Sequence, residues 1–131
     1  MKQIIIVIFL SVLAGCSGSS DVVVGQKTEM KIDNVVFDAG EVILGEMITA
    51  KFTVTNEGNY PLVIAQVNAS CSCTVADKPE DPILPGESAE IVAHVNTDKT
   101  GAGILNKSVR ITANTSPSIT QVRIMANVIR K

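Results

Sequence analysis

After its first sixteen residues the chain is a succession of short segments in which apolar and polar side chains alternate one for one. Met47-Ile48-Thr49-Ala50-Lys51-Phe52-Thr53-Val54-Thr55-Asn56 is the clearest of them. Ala50, Phe52 and Val54 share one face, and Lys51, Thr53 and Thr55 share the other. Successive side chains of a β-strand point to opposite faces, so a period of two is what a half-buried strand requires. Ala89, Ile91, Ala93 and Val95 alternate with Glu90, Val92, His94 and Asn96. Val109 and Ile111 are set against Arg110 and Thr112, and Val122, Ile124, Ala126 and Val128 against Gln121, Arg123 and Asn127. No segment carries apolar residues at helical spacing.

Turn residues separate these runs. Asn56-Glu57-Gly58-Asn59 precedes Pro61 and the apolar run Leu62–Val67. Leu84-Pro85-Gly86-Glu87 precedes Ala89, and Gly101-Ala102-Gly103 precedes Leu105. Two shorter runs, Asn34–Phe37 and Glu41–Leu44, flank Gly40. Many short strands punctuated in this way predict an all-β fold, an immunoglobulin-like antiparallel β-sandwich of about seven to nine strands. A small closed barrel is the alternative. The chain has no tryptophan and lacks the spaced cysteine–tryptophan–cysteine pattern of antibody domains, so its apolar core must hold the two sheets together. Edge strands need protection against pairing with other chains, and Lys51, Lys107 and Arg110 are candidates to supply it.

The first residues, MKQIIIVIFLSVLAGC, follow a different rule. Lys2 precedes a ten-residue apolar run, Ile4–Leu13. A membrane-spanning helix needs about 20 apolar residues, so this run fits the core of a secretory signal peptide. Leu13-Ala14-Gly15-Cys16 resembles the bacterial lipobox, in which cleavage precedes a cysteine whose sulfur carries a diacylglycerol. The expected organisation is a signal peptide over residues 1–15, a lipidated Cys16 with a tether over 16–30, and a sandwich over 31–131. Ser17-Gly18-Ser19-Ser20-Asp21 has the composition of a flexible linker. Several acyl chains would hold the protein on a membrane, each buried methylene contributing about 0.8 kcal/mol. Ser17, with no acidic side chain, favours the outer membrane by resemblance to the sorting rule of other bacteria.

Removing the first 15 of 131 residues leaves 116, which is one domain's worth of chain. Ten basic residues then face 13 acidic ones without a basic cluster, which argues against nucleic acid as a partner. The scarcity of aromatic residues counts weakly against carbohydrate-binding faces. The expected partners are a membrane, through Cys16, and an unidentified envelope or extracellular protein. No cofactor is expected.

Five short motifs occur in order: Phe37-Asp38-Ala39-Gly40, Phe52-Thr53-Val54-Thr55-Asn56-Glu57-Gly58, Pro61-Leu62-Val63-Ile64, Ser70-Cys71-Ser72-Cys73-Thr74 and Ile83-Leu84-Pro85-Gly86-Glu87-Ser88. Together they resemble the small immunoglobulin-like family of unknown function number 1573, which is similar to PapD-like and ASH-type sandwiches and common in lipoproteins of Bacteroidetes. The likeness covers roughly residues 33–129. It implies a fold and an envelope location, but no activity. The chain departs from the family at Ala39, where a phenylalanine is frequent, and at Ser72, where glycine is frequent. The first departure should cost some packing. The second matters because glycine permits backbone conformations that serine does not.

Cys71 and Cys73 are the only cysteines besides Cys16, and four readings of them compete. They are buried structural thiols; a disulfide with each other; a soft-metal site, with two thiolates suiting Cu(I); or a redox pair that exchanges with a partner. In an extended strand both would point to one face with Ser72 opposite. Two residues along a strand span about 6.6 Å, near the upper limit for bridged Cα atoms, so a bridge requires a bent backbone. His94 falls on an outward face. Asp77, Glu80 and Asp81 lie in a proline-bearing stretch with too few regularly spaced oxygen ligands for calcium. Asn68-Ala69-Ser70, Asn106-Lys107-Ser108 and Asn114-Thr115-Ser116 match the glycosylation pattern, which has no general meaning in a bacterium. No catalytic motif is visible, and no catalytic residue is assigned. The resulting reading is a non-enzymatic binding or assembly module anchored at the envelope. The alternative is a thiol-dependent copper-handling or redox protein using Cys71 and Cys73.

Overall fold

A computed structural model describes residues 25–131. The expected signal peptide over 1–15, Cys16 and the polar segment after it lie outside the described residues. The alternating segments form strands β1 (Met30–Asp33), β2 (Val36–Ile43), β3 (Met47–Asn56), β4 (Ile64–Ala69), β5 (Thr74–Asp77), β6 (Ser88–Asn96), β7 (Gly103–Ala113) and β8 (Ile119–Ile129). A single helical turn, α1 (Thr97–Thr100), joins β6 to β7, with the Asn96 side chain capping it by accepting from the Asp98 amide.

Two four-stranded sheets face each other, in the orders β1-β3-β6-β5 and β2-β8-β7-β4. All pairings are antiparallel except β2 with β8, which is parallel. The chain changes sheet at both flanks. On one it steps from β1 to β2 through Asn34, at φ 56°. On the other it steps from β4 to β5 through the cysteine segment. Pairing of β3 with β6 sets Phe52 opposite Ile91 and Val54 opposite Ala89, so the apolar positions of both strands share one face. Phe52, Leu62, Ile91, Ile111 and Ile124 are fully buried between the layers. Full burial of a side chain of this size contributes about 1.5–3 kcal/mol. The Phe37 and Phe52 rings meet edge to face across the layers with centroids 6.5 Å apart.

Several expectations are corrected. Lys51 lies on β3, and Lys107 and Arg110 on β7. Both strands are interior to their sheets, so none of the three guards an edge; the edges are β1, β5, β2 and β4. The runs flanking Gly40 are one strand rather than two. A bulge between Asp38 and Glu41 absorbs Ala39 and Gly40, with Gly40 at φ 69° and its amide donating to Asp38 Oδ1 over 2.8 Å. The run beginning at Leu62 pairs as a strand only from Ile64; Leu62 instead bridges Ile83, each amide donating to the other's carbonyl. Residues ahead of β1 also pack on the sandwich. The Thr28 amide donates to the Asn114 carbonyl and Thr28 is buried, so residues 26–30 dock on the sandwich.

Candidate functional site

The Cys71–Cys73 segment is a turn rather than a strand, because it carries the chain from an edge of one sheet to the edge of the other. The Thr74 amide donates to the Cys71 carbonyl over 3.2 Å, leaving Ser72 and Cys73 as the central residues of a β-turn. Both sides of the turn are fastened. The Ser70 amide donates to the Ser108 carbonyl on β7, and the Asn96 amide to the Cys73 carbonyl. The turn brings the Cα atoms of Cys71 and Cys73 to 5.3 Å, and the structure joins the two sulfurs as a disulfide. This separation lies inside the usual range for a bridge, where an ideal strand would sit near its limit. The extended backbone, with Ser72 opposite the two sulfurs, is therefore not the conformation adopted. Cys73 is 6% exposed, Cys71 is half-buried and Ser72 is exposed. The Thr74 hydroxyl lies 3.7 Å from the Cys71 sulfur and 3.6 Å from that of Cys73.

Bridged sulfurs carry no thiolate, so a Cu(I) ion could be held here only after reduction. Among the described residues no group of three or more His, Cys, Asp and Glu side chains is placed to hold a metal. His94 lies on the outward face of β6, half-buried, with Nδ1 3.2 Å from Thr49 Oγ1 on β3. Asp77 ends β5, while Glu80 and Asp81 are exposed in the following loop, Glu80 3.9 Å from Lys78 Nζ. These residues come to no common site with the cysteines.

Beside the turn, the two sheets part along an open flank. Among the described residues β4 pairs only with β7 and β5 only with β6, so each presents an edge that none of them pairs. A groove of about 580 Å³ runs between them, lined by the uncharged residues 65–68 on the β4 side and by Ala76, Asp77, Lys78 and Glu80 on the β5 side. β4 carries no charged side chain, and Val75 on β5 is 62% exposed. Both flanks have a four-residue strand and a register shift, but the opposite flank carries more charge, one of the usual protections of an edge. β1 is four residues long and bears Lys31, within 4.0 Å of Asp33 and 3.9 Å of Glu57. β2 bears the bulge, with Asp38 and Glu41.

The end of the sandwich opposite the cysteine turn is tied by two asparagines, Asn56 and Asn114, whose sequence contexts are those of a turn and a sequon. Asn56 is fully buried. Its Oδ1 accepts from Thr28 Oγ1 and the Gly58 amide, and its Nδ2 donates to the carbonyls of Tyr60 and Ile83, the full capacity of an amide side chain. Asn114 accepts from the Val63 amide and donates to the carbonyls of Gln26 and Pro61. An asparagine closing a strand and followed two residues later by glycine is the signal that could have marked Asn56. These ties place the N-terminal segment at the end of β3, whereas Cys73 lies beside Asn96, which pairs with Met47 at the start of β3. Ten strand residues separate the two ends by about 30 Å.

A family model described as protein of unknown function (DUF1573) matches residues 30–128. No curated protein matches the chain. Among solved structures, a protein of unknown function from Porphyromonas gingivalis W83 is similar over 79% of this chain and 48% of its own, at 20% identity and a TM-score of 0.69. An ASH/PapD-like domain of human CEP192 is similar over 80% of this chain and 88% of its own, at 9% identity and a TM-score of 0.60. The periplasmic chaperone SfaE is similar over 76% of this chain and 57% of its own, at 8% identity and a TM-score of 0.57. The chain thus spans about half the length of the Porphyromonas protein. At these identities the likeness establishes an immunoglobulin-like, PapD-like fold. With 99 of its 131 residues matched by the model, the chain belongs to the DUF1573 family of proteins of unknown function.

Proposed function

We propose that the protein is a lipid-anchored envelope module, without enzymatic activity, that takes an extended segment of a partner protein along its open β4/β5 flank. The observation that carries this reading is the difference between the two flanks. β1 and β2 carry four charged side chains, Lys31, Asp33, Asp38 and Glu41, whereas β4 and β5 carry one, Asp77. The β4/β5 side offers two unpaired edges, an uncharged β4 and an exposed Val75 beside a groove. An edge of this kind binds an extended peptide by adding it as a strand, with main-chain hydrogen bonds supplying affinity and flanking pockets supplying selectivity.

Anchoring follows from Cys16 in its lipobox, with the outer membrane as the favoured address. Cys16 and Gln26 are ten positions apart, a reach of at most about 35 Å. Two experiments in producing cells test the reading. Labelling with an alkyne fatty acid should mark the wild-type chain, while Cys16→Ser abolishes the label and releases the protein from membranes. A photo-crosslinking residue at Val75 or Gln66 should give one discrete protein adduct, and the same residue at Thr53 on the face of β3 should give none. Loss of label without loss of membrane association would remove the anchor. Adducts of equal yield at Thr53 would remove the flank.

A further inference from the structure

The Cys71–Cys73 bridge is poorly explained as a staple. Stabilisation by a disulfide grows with the length of chain it encloses, and these cysteines are two positions apart. The bridge does not join the sheets either, since the backbone already crosses between them at this turn and is fastened on both sides by Ser108 and Asn96. Its two sulfurs also differ. Cys71 is half-buried beside the exposed Ser72, whereas Cys73 is 6% exposed. The buried Thr74 hydroxyl lies within 3.7 Å of both.

We infer that Cys71–Cys73 is an exchangeable disulfide that accepts two electrons from a protein dithiol, with Cys71 as the sulfur attacked. A thiolate of the partner approaches Cys71 Sγ from its accessible side and forms a mixed disulfide with it. The Cys71–Cys73 bond breaks, and its electron pair leaves on Cys73 Sγ. There the Thr74 hydroxyl donates a hydrogen bond to the new thiolate, which then takes a proton from water. The partner's second thiolate attacks its own sulfur in the mixed disulfide and releases Cys71, which is protonated in turn. The partner ends as a disulfide and this chain as a dithiol, with two electrons transferred; the reverse sequence reoxidises the chain. In-line attack on one sulfur with departure of the other is the general course of thiol–disulfide exchange. Thr74 is a positioning residue in this scheme. The inference is independent of strand docking, because it uses the turn and neither edge.

The test uses the full-length chain in detergent, with thiols read peptide by peptide so that Cys16 is counted separately and dithiothreitol as the dithiol. The rate of opening should rise in proportion to dithiothreitol under native conditions. In the single variants, Cys71 of Cys73→Ala should be alkylated by iodoacetamide at least tenfold faster than Cys73 of Cys71→Ala. Thr74→Val should slow opening severalfold, and Thr74→Ser should restore it. An opening rate that levels off and tracks global unfolding overturns the inference, and so do equal alkylation rates. The wild-type rate decides even where a variant fails to fold.

Discussion

Opening the Cys71–Cys73 bridge with a phosphine reductant substitutes no residue and adds only two thiol hydrogens, so the resulting loss of stability is chiefly that of the cross-link. The cysteines are two positions apart, so the bridge encloses three residues. The chain-entropy relation then gives about 1.6 kcal/mol at 25 °C, against about 4.7 kcal/mol for a 100-residue loop. The 107 described residues, at about 2.1 cal/mol/K of unfolding entropy each, give about 0.22 kcal/mol/K, so the midpoint should fall by about 7 °C. The assay is far-ultraviolet circular dichroism of the oxidised and reduced protein over a thermal ramp, because one tyrosine and no tryptophan leave little aromatic signal. The transition should stay cooperative, since the buried core lies between the sheets and away from the turn. A fall of 20 °C or more, or loss of the cooperative transition, would refute the reasoning by showing that the bridge holds the sandwich together. No measurable fall would refute it from the other side.

Three further substitutions probe the scaffold. Asn56→Ala strands four partners, among them the carbonyls of Tyr60 and Ile83; unpaired buried groups cost about 1–3 kcal/mol each, so denaturant titration should show a loss of at least about 3 kcal/mol. Gly58→Ala sets a methyl group against the Thr28 side chain and the Glu29 backbone. It should undock the N-terminal segment, read as protease cleavage between residues 25 and 30 while the core resists. Ala39→Phe adds a ring at an open hollow lined by Phe37, Val42, Met47 and Ile48 and rimmed by Asp38, Glu46 and Thr49, and should raise stability by about 1 kcal/mol through added apolar burial. A lowered melting midpoint would mean that the bulge leaves no room for the ring.

Much of the fold was legible in the residues, because a sheet with one buried face writes its period directly into the chain. β3 runs from Met47 to Asn56, the bounds of the alternating run, and the alternations of β6, β7 and β8 mark which residues face the core. The failures have physical causes. β1 and β5 are four residues each, too short for a period to register. The edges were misassigned because charge on an outward face does not distinguish an interior strand from an edge; strand order is set by non-local pairing. Asn56 and Asn114 read as turn residues because polarity alone does not reveal burial among satisfied hydrogen bonds. The cysteine segment read as extended from its own composition. Its bend is imposed from outside, by the need to pass from β4 in one sheet to β5 in the other.

The most direct measurement is amide hydrogen exchange along β4 and β5, comparing the isolated mature chain with the same chain in its native envelope. The isolated chain should exchange rapidly at the amides of Ile64–Ala69 and Thr74–Asp77 that point away from β7 and β6, while the central strands β6 and β8 stay protected. In the envelope those outward amides should slow as an added strand pairs with them. Outward amides that exchange equally fast in both settings would contradict an occupied flank, and amides already slow in the isolated chain would contradict an open one.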